Sequence, residues 1–233
     1  DRSTAALVVL LAFPIVFWNF GLGQNAFLTA ALFGTATLSI DRRPVVAGLL
    51  FGALCYKPQF GLMIPLALAA AGQWRAFAAA AASATALVLL SVLVFGADTW
   101  RAFIETVIAS PTMYQSGRIL FEGMANVFGG ARMIGADARV AYCLQGIATL
   151  CAGIIVVAAW RRQLSLPTRA AILASATVVA APLVLLYDLM LAAIAAVWLV
   201  RDRNSPAASA WEMVVMAVIY LVLLDGRTLG EQW

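Results

Sequence analysis

The sequence predicts an all-α fold, a polytopic bundle of transmembrane helices, from three observations. Of the 233 residues, 64% are hydrophobic and only 11% charged, against about 25% charged in soluble domains. Apolar stretches recur along the whole chain, at 5–20, 26–40, 45–56, 59–71, 76–96, 138–160, 170–187, 189–200 and 207–224. The short turns between them are basic: "DRR" (41–43), "QWR" (73–75), "RRQLSLPTR" (161–169) and "RDRNS" (201–205). The period-2 alternation of a membrane barrel is absent.

The elements divide into three regions: transmembrane segments over 1–96, an extracytoplasmic loop over 97–137, and transmembrane segments over 138–233. The first span ends in "GLGQN" (21–25), where Asn25 reads as an N-cap and the glycines permit a tight turn. Residues 45–71 form either one kinked span or two short helices meeting at Lys57-Pro58. Residues 170–200 pose the same choice at Tyr187-Asp188. The tendency of arginine to collect in cytoplasmic loops decides. With both stretches split, Arg42, Arg43, Arg75, Arg161, Arg162, Arg169, Arg201 and Arg203 all fall on one side. With both unsplit, Arg75 and the 161–169 turn move outside. The segments at 45–56 and 189–200 are then roughly 18 Å long, against a hydrocarbon core of about 30 Å. Their tips must therefore meet protein or water inside the membrane, since irregular backbone facing lipid is not tolerated. Pro58 is expected to end the first short helix.

"FAAAAASATALVLL" (77–90) has the small residues of close helix packing. In the 97–137 loop, Trp100, Phe103, Ile104 and Val107 share one helical face and predict an amphipathic helix in the interface, or a lid on the protein itself. "EGMANVFGG" (122–130) is Gly-rich without phosphate-loop spacing and reads as turns, with Asn126 entering the cavity.

The net charge of +4 reports topology, and no basic tract suggests nucleic acid. The chain has no histidine, which excludes imidazole catalysis and His-ligated metal. Cys55, Cys143 and Cys151 are odd in number, lack CxxC spacing and read as small core residues. No cofactor or resident metal is expected. The chain opens "DRSTAALVVL", without an initiator Met or a signal-peptide cleavage site, and is read as part of a longer protein.

The polar motifs gather outside: "GLGQN", "YKPQ" (56–59), the long loop, "YD" (187–188) and "DGR" (225–227). The Gln and Asn amides offer the donor–acceptor pairs that sugar hydroxyls need. Lys57 either snorkels to the interface or meets a phosphate as a three-donor cation, and its loss would then relieve a desolvation cost. Asp188 serves as its counter-ion, as a hydroxyl acceptor, or as one ligand of a divalent ion. The other acids outside are Asp98, Glu105, Glu122, Asp137, Asp225 and Glu231.

The run "GQNAFLTAALFGTATLSIDRRPVVAGLLFGALCYKPQFGLMIPLALAAAGQWRAF" resembles glycosyltransferase family 87, the polyprenol-phosphate-mannose-dependent α-mannosyltransferase group of C-type membrane glycosyltransferase fold. The resemblance continues, more softly, through "WRAFIET", "MANVFGGARMIGA" and "LLYDLMLAAIAAVWL". It implies transfer of a hexose, mannose, from a polyprenyl-phosphate-linked donor to a lipid or glycan acceptor, with inversion, outside a bacterial inner membrane. Membrane lipid is a further partner. The resemblance carries Gln24, Asn25, Lys57, Gln59, Tyr187 and Asp188 over as substrate contacts. The catalytic Asp it implies belongs to a first outer loop that no acid here matches, so the resemblance implies an N-terminal truncation. Two other classes compete: a transporter with broken helices, and a non-catalytic lipid-binding subunit. Polar tips facing one side, without a repeat between halves, argue against alternating access.

Overall fold

The computed structural model describes residues 13–115, 123–162 and 164–201. The expected span 207–224, part of 5–20, Glu122, Arg203, Asp225, Glu231 and the "DGR" motif lie outside the described residues. Every regular element described is helical. In order they are α1 (Pro14–Gly21), α2 (Ala26–Ser39), α3 (Pro44–Ala53), the 3₁₀ turns Leu54–Tyr56 and Pro58–Gly61, α4 (Met63–Ala70), α5 (Trp74–Gln115), α6 (Val127–Met133), α7 (Ala138–Arg161), α8 (Leu166–Ala180), the 3₁₀ turn Leu186–Leu189, and α9 (Met190–Arg201).

Local sequence sets the boundaries. Gly23 adopts φ +60°, and the Gly23 and Gln24 amides bond back to Phe20 and Asn19, closing α1 with a left-handed cap. Pro44 opens α3, where a missing N–H costs nothing. Asp137 caps α7 and Ser165 caps α8 through their side chains. The helix therefore resumes at Leu166, and Arg169 lies inside α8 rather than in a 161–169 turn.

Two stretches can cross a bilayer by length and composition. They are Trp74–Ala109, with an 18-residue window of mean hydropathy 2.3, and Ala138–Arg161, with one of 2.1. None of the apolar window of the first is buried. A surface that exposes Leu89, Leu90, Leu93 and Phe95 needs an apolar solvent, and this is a membrane protein.

Both ambiguous stretches double back. A Cβ at Gly48 would collide with Ala76 and Ala79, and one at Gly52 with Ala80 and Ser83. Positions four apart on α3 thus meet positions four apart on α5 in the same order, so α3 and α5 run parallel, and 54–73 must return to the level at which α3 began. The small residues at 76–84 are where α3 lies closest. In the second stretch, Arg169 near the start of α8 reaches Asp41, and Trp198 near the end of α9 reaches Thr37. Both contacts lie near the 39–41 end of α2, so α8 leaves that end and α9 returns to it. Arg42, Arg43, Arg75, Arg161, Arg162, Arg169 and Arg201 therefore gather at one end of the bundle, as the split reading requires.

The main core fills the space between these returns. Phe33 and Phe51 meet edge to face at 5.7 Å, and Leu54, Phe60, Trp160, Leu173 and Leu191 are buried around them. Trp160 donates to the Arg169 carbonyl, and the Arg169 guanidinium lies 5.3 Å from its ring and pairs with Asp41 at 3.1 Å. This clamp joins α2, α7 and α8 at the arginine-bearing end.

Several expectations need correction. α3 ends at Ala53, before Pro58; Lys57 leaves the helical region (φ −125°, ψ 76°), as the residue before a proline is pressed to do. α8 stops at Ala180 rather than 187, and extended chain follows. "EGMANVFGG" is not only turns: Asn126 caps the helix α6. One boundary stands as expected: α5 breaks at Gly96 (φ 82°, ψ 162°), a conformation open essentially to glycine alone, so the amphipathic stretch is a helical arm of its own, running to Gln115 across a kink from the apolar helix before it. Cys143 and Cys151 are exposed on α7, and only Cys55 is partly buried.

Candidate functional site

Opposite the arginine-bearing end, three returns of the chain converge: the α1–α2 turn, the 3₁₀ turns of 54–61, and the 3₁₀ turn 186–189. Lys57 and Asp188, 131 positions apart, meet there at 2.6 Å, with side chains only 13% and 5% exposed. The Lys57 ammonium lies 5.2 Å from the centre of the Tyr187 ring and 5.7 Å from that of Phe60. The second Asp188 oxygen accepts the Leu185 amide at 3.3 Å. The carboxylate thus closes its own turn while holding the cation. A lysine buried this far loses most of its contact with solvent, and the carboxylate and two aromatic faces offset that.

The pair is recessed. Gly52 is level with Ala80–Ala84 on the parallel α5, and the 3₁₀ turn adds about 2 Å per residue. Lys57 thus lies roughly 10 Å short of Gly96 along the 1.5 Å rise of α5.

The supporting contacts come from α1 and α2. The Thr29 hydroxyl bonds the Tyr56 hydroxyl at 2.7 Å and the Asn25 carbonyl at 3.5 Å, placing the start of α2 beside the "YKPQ" turn. Asn25 occupies the N-cap position, yet its side chain makes no cap bond and is exposed. Gln24 and Gln59 are partly buried on the two adjoining turns. Asn126 lies apart from the pair. Its amide donates to the Pro182 carbonyl at 2.6 Å and accepts from the Gly129 amide at 2.8 Å. The Ala125 amide bonds the Val184 carbonyl at 2.8 Å. The "MAN" motif therefore holds the extended chain leading into Tyr187-Asp188. Of the expected site residues, Lys57, Tyr187 and Asp188 come into direct contact, Gln24, Asn25 and Gln59 lie on the adjoining turns, and Asn126 acts on the backbone.

Sequence reasoning passed over Asn19. It is 1% exposed and its amide donates to the Ile15 and Tyr187 carbonyls, fixing α1 to the 186–189 turn. Its Oδ1 has no partner among the described residues. The available signal was a lone amide inside the apolar run "IVFWNF".

The Lys57–Asp188 arrangement can receive an anion or a hydroxyl on the two remaining ammonium N–H groups while the carboxylate keeps the cation in place. Asp188 spends one oxygen on Lys57 and the other on the Leu185 amide, the arrangement of a counter-ion. Asp98 is exposed and paired with Arg101 at 2.9 Å, and Asp137 caps a helix. Asp41 lies at the opposite end.

No curated protein and no solved structure shows significant similarity to the chain. A family model does match, that of glycosyltransferase family 87, over residues 1–185 of the 233. The match takes in Gln24, Asn25, Lys57, Gln59 and Asn126 and stops just before Tyr187 and Asp188. With four-fifths of its length matched, an all-helical membrane fold and a recessed ion pair where its polar motifs meet, the chain belongs to glycosyltransferase family 87.

Proposed function

We propose that this glycosyltransferase moves a hexose, mannose, from a polyprenyl-phosphate-linked donor to a lipid or glycan acceptor, with inversion, on the outer face of a bacterial inner membrane. The recessed Lys57 is the observation that carries the reading. A lipid phosphate presents its charge at or below the membrane surface, and a Lys57 set roughly 10 Å back from Gly96, with donors left over after pairing with Asp188, supports a contact there. As the glycosidic bond breaks, negative charge grows on the departing phosphate, and a fixed cation in a dry site stabilises it. Gln24, Asn25 and Gln59 supply amides for sugar hydroxyls, Tyr187 forms the wall, and Asn126 positions the chain beneath it. Asp188 acts as counter-ion. The base that takes the acceptor proton comes from an outer loop ahead of the described residues.

The test uses the full-length protein, purified and supplied with polyprenyl-phosphate-mannose and candidate acceptors. Transfer from this donor, and none from a nucleotide-sugar, is the expected result. Transfer from the nucleotide-sugar alone would sink the reading.

A further inference from the structure

At the arginine-bearing end, away from the ion pair, a groove of about 680 Å³ runs between α4 and α7. Its volume falls within the about 300–1,000 Å³ of ligand sites. Leu62 and Leu66 wall one side, and Leu150, Ile154 and Val157 the other. Leu150 and Ile154 are 68% and 69% exposed, so the groove opens sideways. Two charges line it, Arg161 and Arg162, at its end on the last turn of α7. Both are exposed, and neither has an acidic partner among the described residues.

The dimensions match one leaflet. From Leu150 to Arg161 the helical rise gives about 16 Å, half of a hydrocarbon core of about 30 Å. A chain laid along the groove would start at the headgroup level, where the guanidiniums sit, and end near the midplane. Guanidinium forks match phosphate oxygens, and paired arginines without acids favour a net negative headgroup. We propose that this groove is a binding site for an anionic phospholipid, with one acyl chain between α4 and α7 and the phosphate on Arg161 and Arg162.

Gly153 lies midway, and a Cβ there would meet Leu66 at an ordinary 3.6 Å, so a larger side chain can fill the groove without disturbing the arginines. The experiment takes delipidated full-length protein in neutral detergent and titrates it with phosphatidylglycerol or phosphatidylcholine in mixed micelles. Retained lipid is read by native mass spectrometry. Phosphatidylglycerol should be retained at least tenfold more tightly than phosphatidylcholine. Arg161→Gln/Arg162→Gln should erase the difference, and Gly153→Leu should weaken retention at least tenfold with both arginines present. Equal retention of the two lipids, or full retention in Gly153→Leu, would overturn the proposal. So would inorganic phosphate displacing the lipid at equal concentration, because the arginines would then act without the groove. Absence of retained lipid, with a cysteine placed at Leu150 cross-linking to one placed in 207–224, would overturn it by showing that the chain fills its own groove.

Discussion

At the scale of single residues, the ion pair changes what the loss of Lys57 means. Read from sequence, removing a lysine from an apolar run relieves a desolvation cost. In the structure Lys57→Met strands Asp188, 5% exposed, without its cation. Breaking one side of a buried pair costs about 3–5 kcal/mol, whereas replacing both sides is often neutral. Lys57→Met should therefore lower the thermal midpoint of the purified protein, and Lys57→Met/Asp188→Leu should recover most of it while donor use stays lost. Equal midpoints for the single variant and wild type would show that the pair carries no such coupling. Asp188→Asn tests the role of the carboxylate. A general base contributes about 10²–10⁴-fold, while a counter-ion acts only by holding Lys57. The expected fall in kcat is below about 100-fold, and a loss of about 100-fold or more would make Asp188 the base. Lys57 was legible as a functional candidate because an ammonium in an apolar run needs a reason. Its contact with Asp188 was legible only as one option, since the separation of 131 positions is closed by two returns of the chain.

At the scale of elements, α3 packs on α5 through Gly48 and Gly52. Gly52→Leu would drive a branched side chain into the Ala80 and Ser83 positions and force the helices apart. Overpacking costs about 1–3 kcal/mol where neighbours can shift, and more against backbone. Little monodisperse protein should survive size-exclusion chromatography. Gly146→Ala is the control. Nothing lies within 4 Å of a Cβ there, and the helix gains about 1 kcal/mol of propensity. A normal yield of Gly52→Leu would mean that α3 and α5 are not in contact. Helix positions were readable where apolar length alone decided, as in α2 and α7, expected at 26–40 and 138–160 and found at Ala26–Ser39 and Ala138–Arg161. They were misread at α8 and α6: α8 stops early because the following segment pairs with Ala125 and Asn126, and α6 forms because Asn126 caps it. The Asn126 cap is local and was readable, as was Pro182, which turns Ala181 out of the helix; the pairing of the 181–185 chain with Ala125 and Asn126 was not, because it spans more than 50 positions.

At the scale of the whole molecule, the arginine distribution was enough to choose the doubled-back path, because sidedness is a global constraint that each short turn reports independently. The structure adds the test. Single cysteines at Gln73 and Ser165, in a background lacking Cys55, Cys143 and Cys151, should label from one side of a sealed vesicle, and one at Asp137 from the other. Labelling of positions 73 and 165 from opposite sides would overturn the arrangement. The two returns also have a bearing on parity. A segment that leaves and rejoins the same end makes an even number of crossings, so 44–73 and 166–201 contribute nothing to which side any later loop occupies. Among the described residues that task falls to α2, α5 and α7. Either return can be lengthened, shortened or exchanged without inverting the rest of the protein. Lys57 and Asp188 sit one on each return, so the site is built from the two parts of the chain that are free to vary in depth while the orientation in the bilayer stays fixed.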